Sequence, residues 1–315
     1  MTDITVIVVT RNRAAMLRDA LQSLIHQDTG GGFSYDILVV DDGSTDQTFQ
    51  VVEEMARQAF PLVVQYLAIP GSGEALARNV GLRAAQGEWI AFCDDDQVAD
   101  QAWLQELHRE ALASQADCVG GAVALSLPPS EALELGPRSR GELGEKLFDH
   151  RSRRRLAKDV MGAGNCLLRK SLVETVGEFD ITFRQGVDTD FFWRVEKAGF
   201  TLSLAPRALV YHIIPAARLQ TGYLRQVCLR KGAATARIID KHEGSRKLLL
   251  QALLRLGIIC VRDVPQVLIA AGLNNPGFQM DCRCGLWFSL GFLRSALFHL
   301  APSRFPQTRF FRQLQ

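Results

Sequence analysis

Short apolar runs alternate with helical patterns along the first half of the chain. Ile4 to Val9 is a near-continuous β-branched run and reads as a buried strand. Ala14 to Ile25 then sets Leu17, Leu21, Leu24 and Ile25 at helical spacing. The unit repeats. A strand at Tyr35 to Val40 precedes a helix starting near Asp46, a strand at Leu62 to Leu67 precedes a helix at Glu74 to Ala85, and Trp89 to Cys93 is another buried run. This alternation predicts an α/β fold whose mainly parallel sheet is covered by helices and carries its functional loops at the carboxyl ends of the strands. The polar motifs fall at those ends: Thr10-Arg-Asn12, Asp41-Asp-Gly-Ser-Thr-Asp46 and Asp94-Asp-Asp96.

The pattern changes twice. Pro128 to Lys158 holds Pro128-Pro129, Gly136-Pro137 and the basic cluster Arg151, Arg153, Arg154, Arg155 and Lys158, which reads as a loop or flexible segment. From about Arg246 the chain turns apolar. Leu248 to Val261 is interrupted by Arg255, Arg262-Asp-Val-Pro265 breaks the run, and Gly285 to Pro302 carries Arg294 as its one charge. Such stretches suit a bilayer interface with arginines snorkelling, or the core of a helical appendage, or a dimer interface. The expected division is 1–212 and 213–315.

Charge follows the same division. The chain carries a net +2, yet Met1 to His212 holds 21 Lys+Arg against 30 Asp+Glu, and Ile213 to Gln315 holds 15 against 4. An acidic front half needs a cation before a phosphate ligand can approach, and a basic, apolar rear half suits an anionic membrane surface or packing on an acidic domain. With 47% hydrophobic and 22% charged residues, wholesale disorder is excluded. Seven cysteines show no paired framework, and Cys282-Arg-Cys284 has the wrong spacing for a common zinc knuckle, so free thiols in a reducing cytosol are expected. Neither a secretory signal nor an uncharged apolar run of ~20 residues is expected from the pattern.

Three adjacent carboxylates repel, so Asp94-Asp-Asp96 calls for something positive. A hard divalent cation carrying a phosphorylated ligand answers that need; a solvated acidic turn capping the helix near Ala102 is the alternative. A carboxylate in Asp41-Asp-Gly-Ser-Thr-Asp46 can accept from a uracil-type base or from ribose, while Asp46 caps the next helix. Gly71-Ser-Gly opens the helix that carries Arg78 and Asn79, within reach of a nucleotide. Gly162-Ala-Gly-Asn165 lets a ligand approach the backbone, or simply turns before a strand. Asp188 and Asp190 stand at a helix start, where one can cap and the other act as general base. His212, after an apolar run, is a candidate metal or phosphate ligand.

Taken in order, Val8-Val-Thr-Arg-Asn-Arg13, Val39-Val-Asp-Asp-Gly-Ser-Thr-Asp46, Ala77-Arg-Asn-Val-Gly81, Phe92-Cys-Asp-Asp-Asp96 and Asp188-Thr-Asp-Phe-Phe-Trp-Arg194 resemble the family 2 glycosyltransferases. The resemblance covers Ile4 to His212 and implies the GT-A fold, a Rossmann-like sheet, with the rear of the chain as a membrane-associated helical extension. It also implies a nucleotide-sugar donor, usually UDP-linked. Thr10, Arg11, Asp41, Asp42 and Arg78 would serve the nucleotide, and Asp94 the ribose or sugar. Asp96 and His212 would hold Mg²⁺ or Mn²⁺ on the diphosphate, with Asp95 a spacer between the two outer carboxylates. Gly164 and Asn165 would face sugar or acceptor. Asp188 would be the base of an inverting transfer, with Asp190 the second choice. Val187 stands where the family usually has Glu. The Gln-x-x-Arg-Trp element of processive synthases is not matched by Gln220-Thr-Gly-Tyr-Leu-Arg225, which favours single-sugar addition. The expected acceptor is a glycan or a lipid-linked precursor at the cytoplasmic membrane face, reached by a peripheral protein. Direct transfer to a polyprenyl phosphate and a non-catalytic nucleotide-sugar sensor are the alternatives. No nucleic-acid partner is expected, and the sequence leaves the oligomeric state open.

Overall fold

The computed structural model describes residues 2–128, 135–148 and 161–305. The basic cluster from Arg151 to Lys158 lies outside the described residues. The chain forms two compact units, one from Met1–Ala124 with Lys146–Ile213, the other from Leu125–Glu145 with Ile214–Gln315. The segment Leu125–Glu145 thus belongs with the rear of the chain rather than with its front.

The first unit begins with the expected alternation: β1 (Ile4–Thr10), α1 (Ala14–Leu24), β2 (Tyr35–Asp41), α2 (Thr48–Ala59), β3 (Val64–Ala68), α3 (Glu74–Ala84) and β4 (Trp89–Cys93). Next come β5 (Gln97–Ala99), α4 (Trp103–Ser114) and β6 (Cys118–Ser126). A short α5 (Pro137–Glu142) of the second unit intervenes, so the stretch expected to be loop holds a helical turn, with Pro137 at its first position, where no N–H is needed. The first unit closes with β7 (Asn165–Arg169), α6 (Leu172–Val176), α7 (Val187–Lys197) and β8 (Leu202–Ile213).

The eight strands form one sheet in the order β3-β2-β1-β4-β7-β6-β8-β5. Its first half is parallel, as strand–helix alternation requires, whereas β4–β7, β6–β7 and β5–β8 pair antiparallel. The sheet is therefore mixed. Ile4, Val6 and Val8 point to one face, where Leu17, Leu21, Leu24, Trp103 and Leu107 bury them. The register then gathers the polar strand ends. Thr10 lies beside Asp41, Cys93 beside Asn165, and Gln97 beside His212.

The second unit is helical: α8 (Thr221–Glu243), α9 (Ser245–Ile258), α10 (Val264–Ala271) and α11 (Pro276–Leu300). Helices α8 and α11 approach backbone to backbone. A Cβ on Gly291 would stand 2.1 Å from the Leu229 carbonyl oxygen, and one on Gly232 2.1 Å from that of Phe288. Only glycine permits that contact. The expected break at Arg262-Asp-Val-Pro265 is absent. A π turn over Ile259–Asp263 carries the helical path onward, and Pro265 sits in the first turn of α10. Arg255 does not snorkel outward; its guanidinium lies 5.2 Å and 5.3 Å from the ring centres of Phe288 and Phe292. Among the described residues, no helix is long and apolar enough to cross a membrane. All seven cysteines are free.

Candidate active site

The carboxyl end of β2 supplies two buried carboxylates with separate duties. Asp41 accepts the Ser44 N–H at 2.8 Å and the Tyr66 hydroxyl at 2.6 Å, which fixes the turn after the strand. Asp42 accepts the N–H groups of Ser72 at 2.6 Å and Gly73 at 3.0 Å, tying that turn to the loop before α3. Arg11 completes the corner, 3.6 Å from Asp42 and packed over Gly71, with its side chain 55% exposed. Asp46 caps two helices at once, taking the N–H of Ala14 on one oxygen and that of Thr48 on the other. Tyr66 carried no sequence expectation; its signal was a tyrosine, rather than a phenylalanine, on a strand adjoining an acid-ended one.

Between β4 and β5 the acidic triplet divides in an unexpected way. Asp95 is no spacer. It accepts the Thr10 hydroxyl at 2.8 Å and Arg13 Nη1 at 2.7 Å, and is 3% exposed. The same Arg13 nitrogen reaches Asp96 Oδ2 at 3.2 Å. Burial opposes the Arg13 charge, and Asp95 with Asp96 outweighs it, holding the guanidinium above its usual range. The sequence motif contained Arg13 without assigning it a role. Thr10, expected at the nucleotide, is buried with its hydroxyl proton committed to Asp95.

Asp94 faces the other way, where Arg78 Nη2 lies 3.2 Å from its Oδ1 and 2.5 Å from Glu74. Burial also opposes the Arg78 charge, and Glu74, Asp94 and Asp188 overcome it. The depth of the site pushes the Asp94 carboxyl up to about 6 against the pull of Arg78. Solvent still reaches 39% of the side chain, which softens that rise. Gly164 is the residue that lets Asp94 sit here. A Cβ on it would stand 2.0 Å from Asp94 Oδ2. Asn79 does not turn to a ligand: its amide makes two 2.8 Å bonds with the Phe179 backbone.

The turn Gly162–Gly164 also meets α7. A Cβ on Gly162 would stand 3.3 Å from Asp188 Oδ2 and 2.5 Å from Lys146 Nζ, so one turn of chain touches Asp94 at one end and Asp188 at the other. Asp190, the second choice for the base, is excluded from that role by burial. It is 0% exposed and paired with Arg194 at 3.1 Å, which itself donates to the carbonyls of Val176 and Glu178. Asn165, expected at sugar or acceptor, is committed to the scaffold. Its oxygen accepts the Trp103 indole N–H at 2.7 Å and its nitrogen donates to the carbonyls of Ala122 and Ala208. Lys146 was missed by the sequence reading because it lies in the irregular stretch Pro128 to Lys158, outside the motifs.

Among the described residues no three His, Cys, Asp or Glu side chains form a ready-made metal cage. The donor pair nevertheless fits a hard cation. His212 Nε2 stands 3.4 Å from Asp96 Oδ2, a spacing two ligands of one cation can share, and the pair leaves most coordination positions to diphosphate and water. Mg²⁺ beside a nucleotide is usually held in this sparse way, by one or two carboxylates with the substrate phosphates and water.

Known proteins share this arrangement of sequence and fold. The succinoglycan biosynthesis protein ExoM of Rhizobium meliloti is 28% identical over 217 residues, 67% of each chain. The pre-mycofactocin glycosyltransferase of Mycobacterium tuberculosis is 32% identical over 67% of this chain and 42% of its own length. The mannosyltransferase PcManGT from Pyrobaculum calidifontis, solved with GDP-Man and Mn²⁺, superposes with a TM-score of 0.57 over 96% of this chain and 78% of that one at 18% identity. S. aureus TarS 1-349, solved with UDP-GlcNAc, gives 0.52 over 94% and 91% at 19% identity. The solved structures establish the GT-A fold. The family's sequence pattern spans residues 5–177, more than half of the chain, and the protein belongs to glycosyl transferase family 2.

Proposed function

We propose that the protein is an inverting glycosyltransferase that moves one sugar from a nucleotide-sugar, UDP-linked, to a hydroxyl of a lipid-linked or surface-polysaccharide acceptor at the cytoplasmic membrane face. One observation carries the reading. The turn Gly162–Gly164 is shared by Asp94, next to the candidate diphosphate site, and Asp188, the candidate base. A donor held by the first therefore presents its sugar near the second.

The geometry supports a role for each residue. Asp42 and Arg11 border the loop where base and ribose bind, while Asp41 and Tyr66 keep that loop in shape. Asp94 orients ribose or sugar. Asp188 takes the proton of the acceptor hydroxyl as its oxygen attacks the anomeric carbon from the face opposite the departing diphosphate, which inverts that centre. A divalent cation held by Asp96 and His212 would supply Lewis-acid neutralisation of the leaving diphosphate. Arg13 keeps Asp96 aimed, and the buried Arg78 offsets charge around Asp94 and Asp188. The succinoglycan biosynthesis relative supports a polysaccharide acceptor, and the neighbours solved with GDP-Man and UDP-GlcNAc support a nucleotide-sugar donor.

Lys146, placed with Asp188 around Gly162, favours a second reading in which the acceptor is itself anionic, as a polyprenyl phosphate is. A panel of UDP- and GDP-sugars with Mn²⁺, assayed against hydroxyl and phosphate acceptors, separates the two. Acceptor-dependent release of nucleoside diphosphate, with the product's anomeric configuration opposite to the donor's, is expected. Retained configuration, or donor binding without turnover on every acceptor, would contradict the proposal.

A further inference from the structure

Among the described residues of the second unit, none covers the outer surface of α9 and α10. Helix α9 turns Leu248 and Ala252 inward against Ala236, Phe292 and Ala296. Its remaining leucines face out. Leu250, Leu253, Leu254 and Leu256 are 51%, 59%, 54% and 51% exposed, Val261 in the π turn is 81% exposed, and Leu268 and Ile269 of α10 are 70% and 63% exposed. Scattered exposed leucines are ordinary, but seven large apolar side chains more than half exposed within twenty residues make a surface that water solvates poorly.

Three features of the same segment say what covers it. Basic groups accompany the leucines: Arg246 and Lys247 are exposed where α9 opens, and Arg262, its side chain 47% exposed while paired with Asp263 at 2.8 Å, follows at the π turn. The chain from Ile213 onward carries 15 Lys+Arg against 4 Asp+Glu, so a second copy of this surface would be repelled rather than attracted. Among the described residues no helix, this continuous path included, is long and apolar enough to cross a membrane, which suits an element lying in an interface. Arg255 is held over Phe288 and Phe292, so its cation does not interrupt the outer apolar face.

We infer that the outward face of α9 and α10 docks the protein on an anionic lipid bilayer, with its leucines in the acyl boundary and Arg246, Lys247 and Arg262 at the phosphate level. The inference deepens the proposed membrane-face location and rests on that part of the reading, while needing no assumption about the sugar. A residue-level consequence follows. The substitutions Leu253→Glu, Val261→Glu and Leu268→Glu lie on exposed positions and leave the inner packing of Leu248 intact.

The test is flotation of the full-length protein with vesicles of phosphatidylcholine alone and of phosphatidylcholine with about one-third phosphatidylglycerol. The unsubstituted protein should float with the anionic vesicles and much less with the neutral ones. The triple variant should lose anionic-vesicle binding by about tenfold or more, because each leucine contributes buried apolar area and each glutamate adds repulsion. Its thermal midpoint and nucleoside-diphosphate release with a water-soluble acceptor should match the unsubstituted protein's. No flotation, equal flotation of the triple variant, or a dimer that the triple variant converts to a monomer would each overturn the docking assignment. Flotation without any turnover would instead count against the proposed transferase activity, so the two readings fail separately.

Discussion

Arg13 Nη1 stands 2.7 Å from Asp95 and 3.2 Å from Asp96, so one guanidinium holds two of the three adjacent carboxylates. The repulsion evident in the sequence is met first by the chain itself, and Asp95 is what remains to anchor the arginine. Arg13→Ala should lower stability by about 1–3 kcal/mol, since it leaves the buried Asp95 short of a charged donor. Arg13→Lys should recover much of this, because a single nitrogen, Nη1, makes both contacts and an ammonium can stand in for it. Denaturant unfolding of the three proteins checks both.

Tyr66 and Asp41 form a second such tie, at 2.6 Å. Burial, and then the hydrogen bond to Asp41, pushes the Tyr66 phenol up to about 12 from 10.0. A phenol whose folded value is raised contributes stability in its protonated form. That contribution is whole below pH 10 and is lost as pH rises toward about 12. Tyr66→Phe should therefore cost about 1 kcal/mol at pH 7 to 9 and progressively less above pH 10, read by urea midpoints across that range.

Asn165 separates a scaffold role from a ligand role. Its amide joins α4, β6 and β8 through Trp103, Ala122 and Ala208. Asn165→Ala should destabilise by about 2–4 kcal/mol, because three buried partners lose their bonds together. A contact to sugar or acceptor would instead appear as a raised KM with an unchanged thermal midpoint.

Much of this was legible in the residues, and the remainder failed for identifiable reasons. Parallel strands buried on both faces are continuous apolar runs, so β1, β2 and β4 stood out with their polar ends. The antiparallel half was fainter. Strand β6 carries Gly120 and Gly121, and β5 is only three residues long. Residue identity in the site was legible, but commitment was not. Asp188 and Asp190 are two positions apart on a helix, about 200° around its axis, so only one can face the site while the other meets Arg194. Thr10 and Asn165 look available in a motif; the partners that occupy them lie 85 and 62 residues away.

Asp96 and His212 should govern metal response. Replacing His212 by Ala should raise the Mn²⁺ concentration needed for half-maximal turnover by about 10–100-fold, with Asp96→Ala losing more, and a chelator should abolish turnover reversibly. Metal titration of turnover in each variant supplies the check. Identical titrations in all three proteins would remove both residues from the cation site.

The central claim is that Asp188, brought to the same turn as Asp94, takes the acceptor's proton. Single-turnover transfer by Asp188→Asn, with donor affinity measured in parallel by calorimetry, tests it most directly. The expected result is transfer slowed by about 10²–10⁴-fold with donor affinity nearly unchanged. Transfer at the unsubstituted rate, or a loss explained wholly by weaker donor binding, would contradict the assignment.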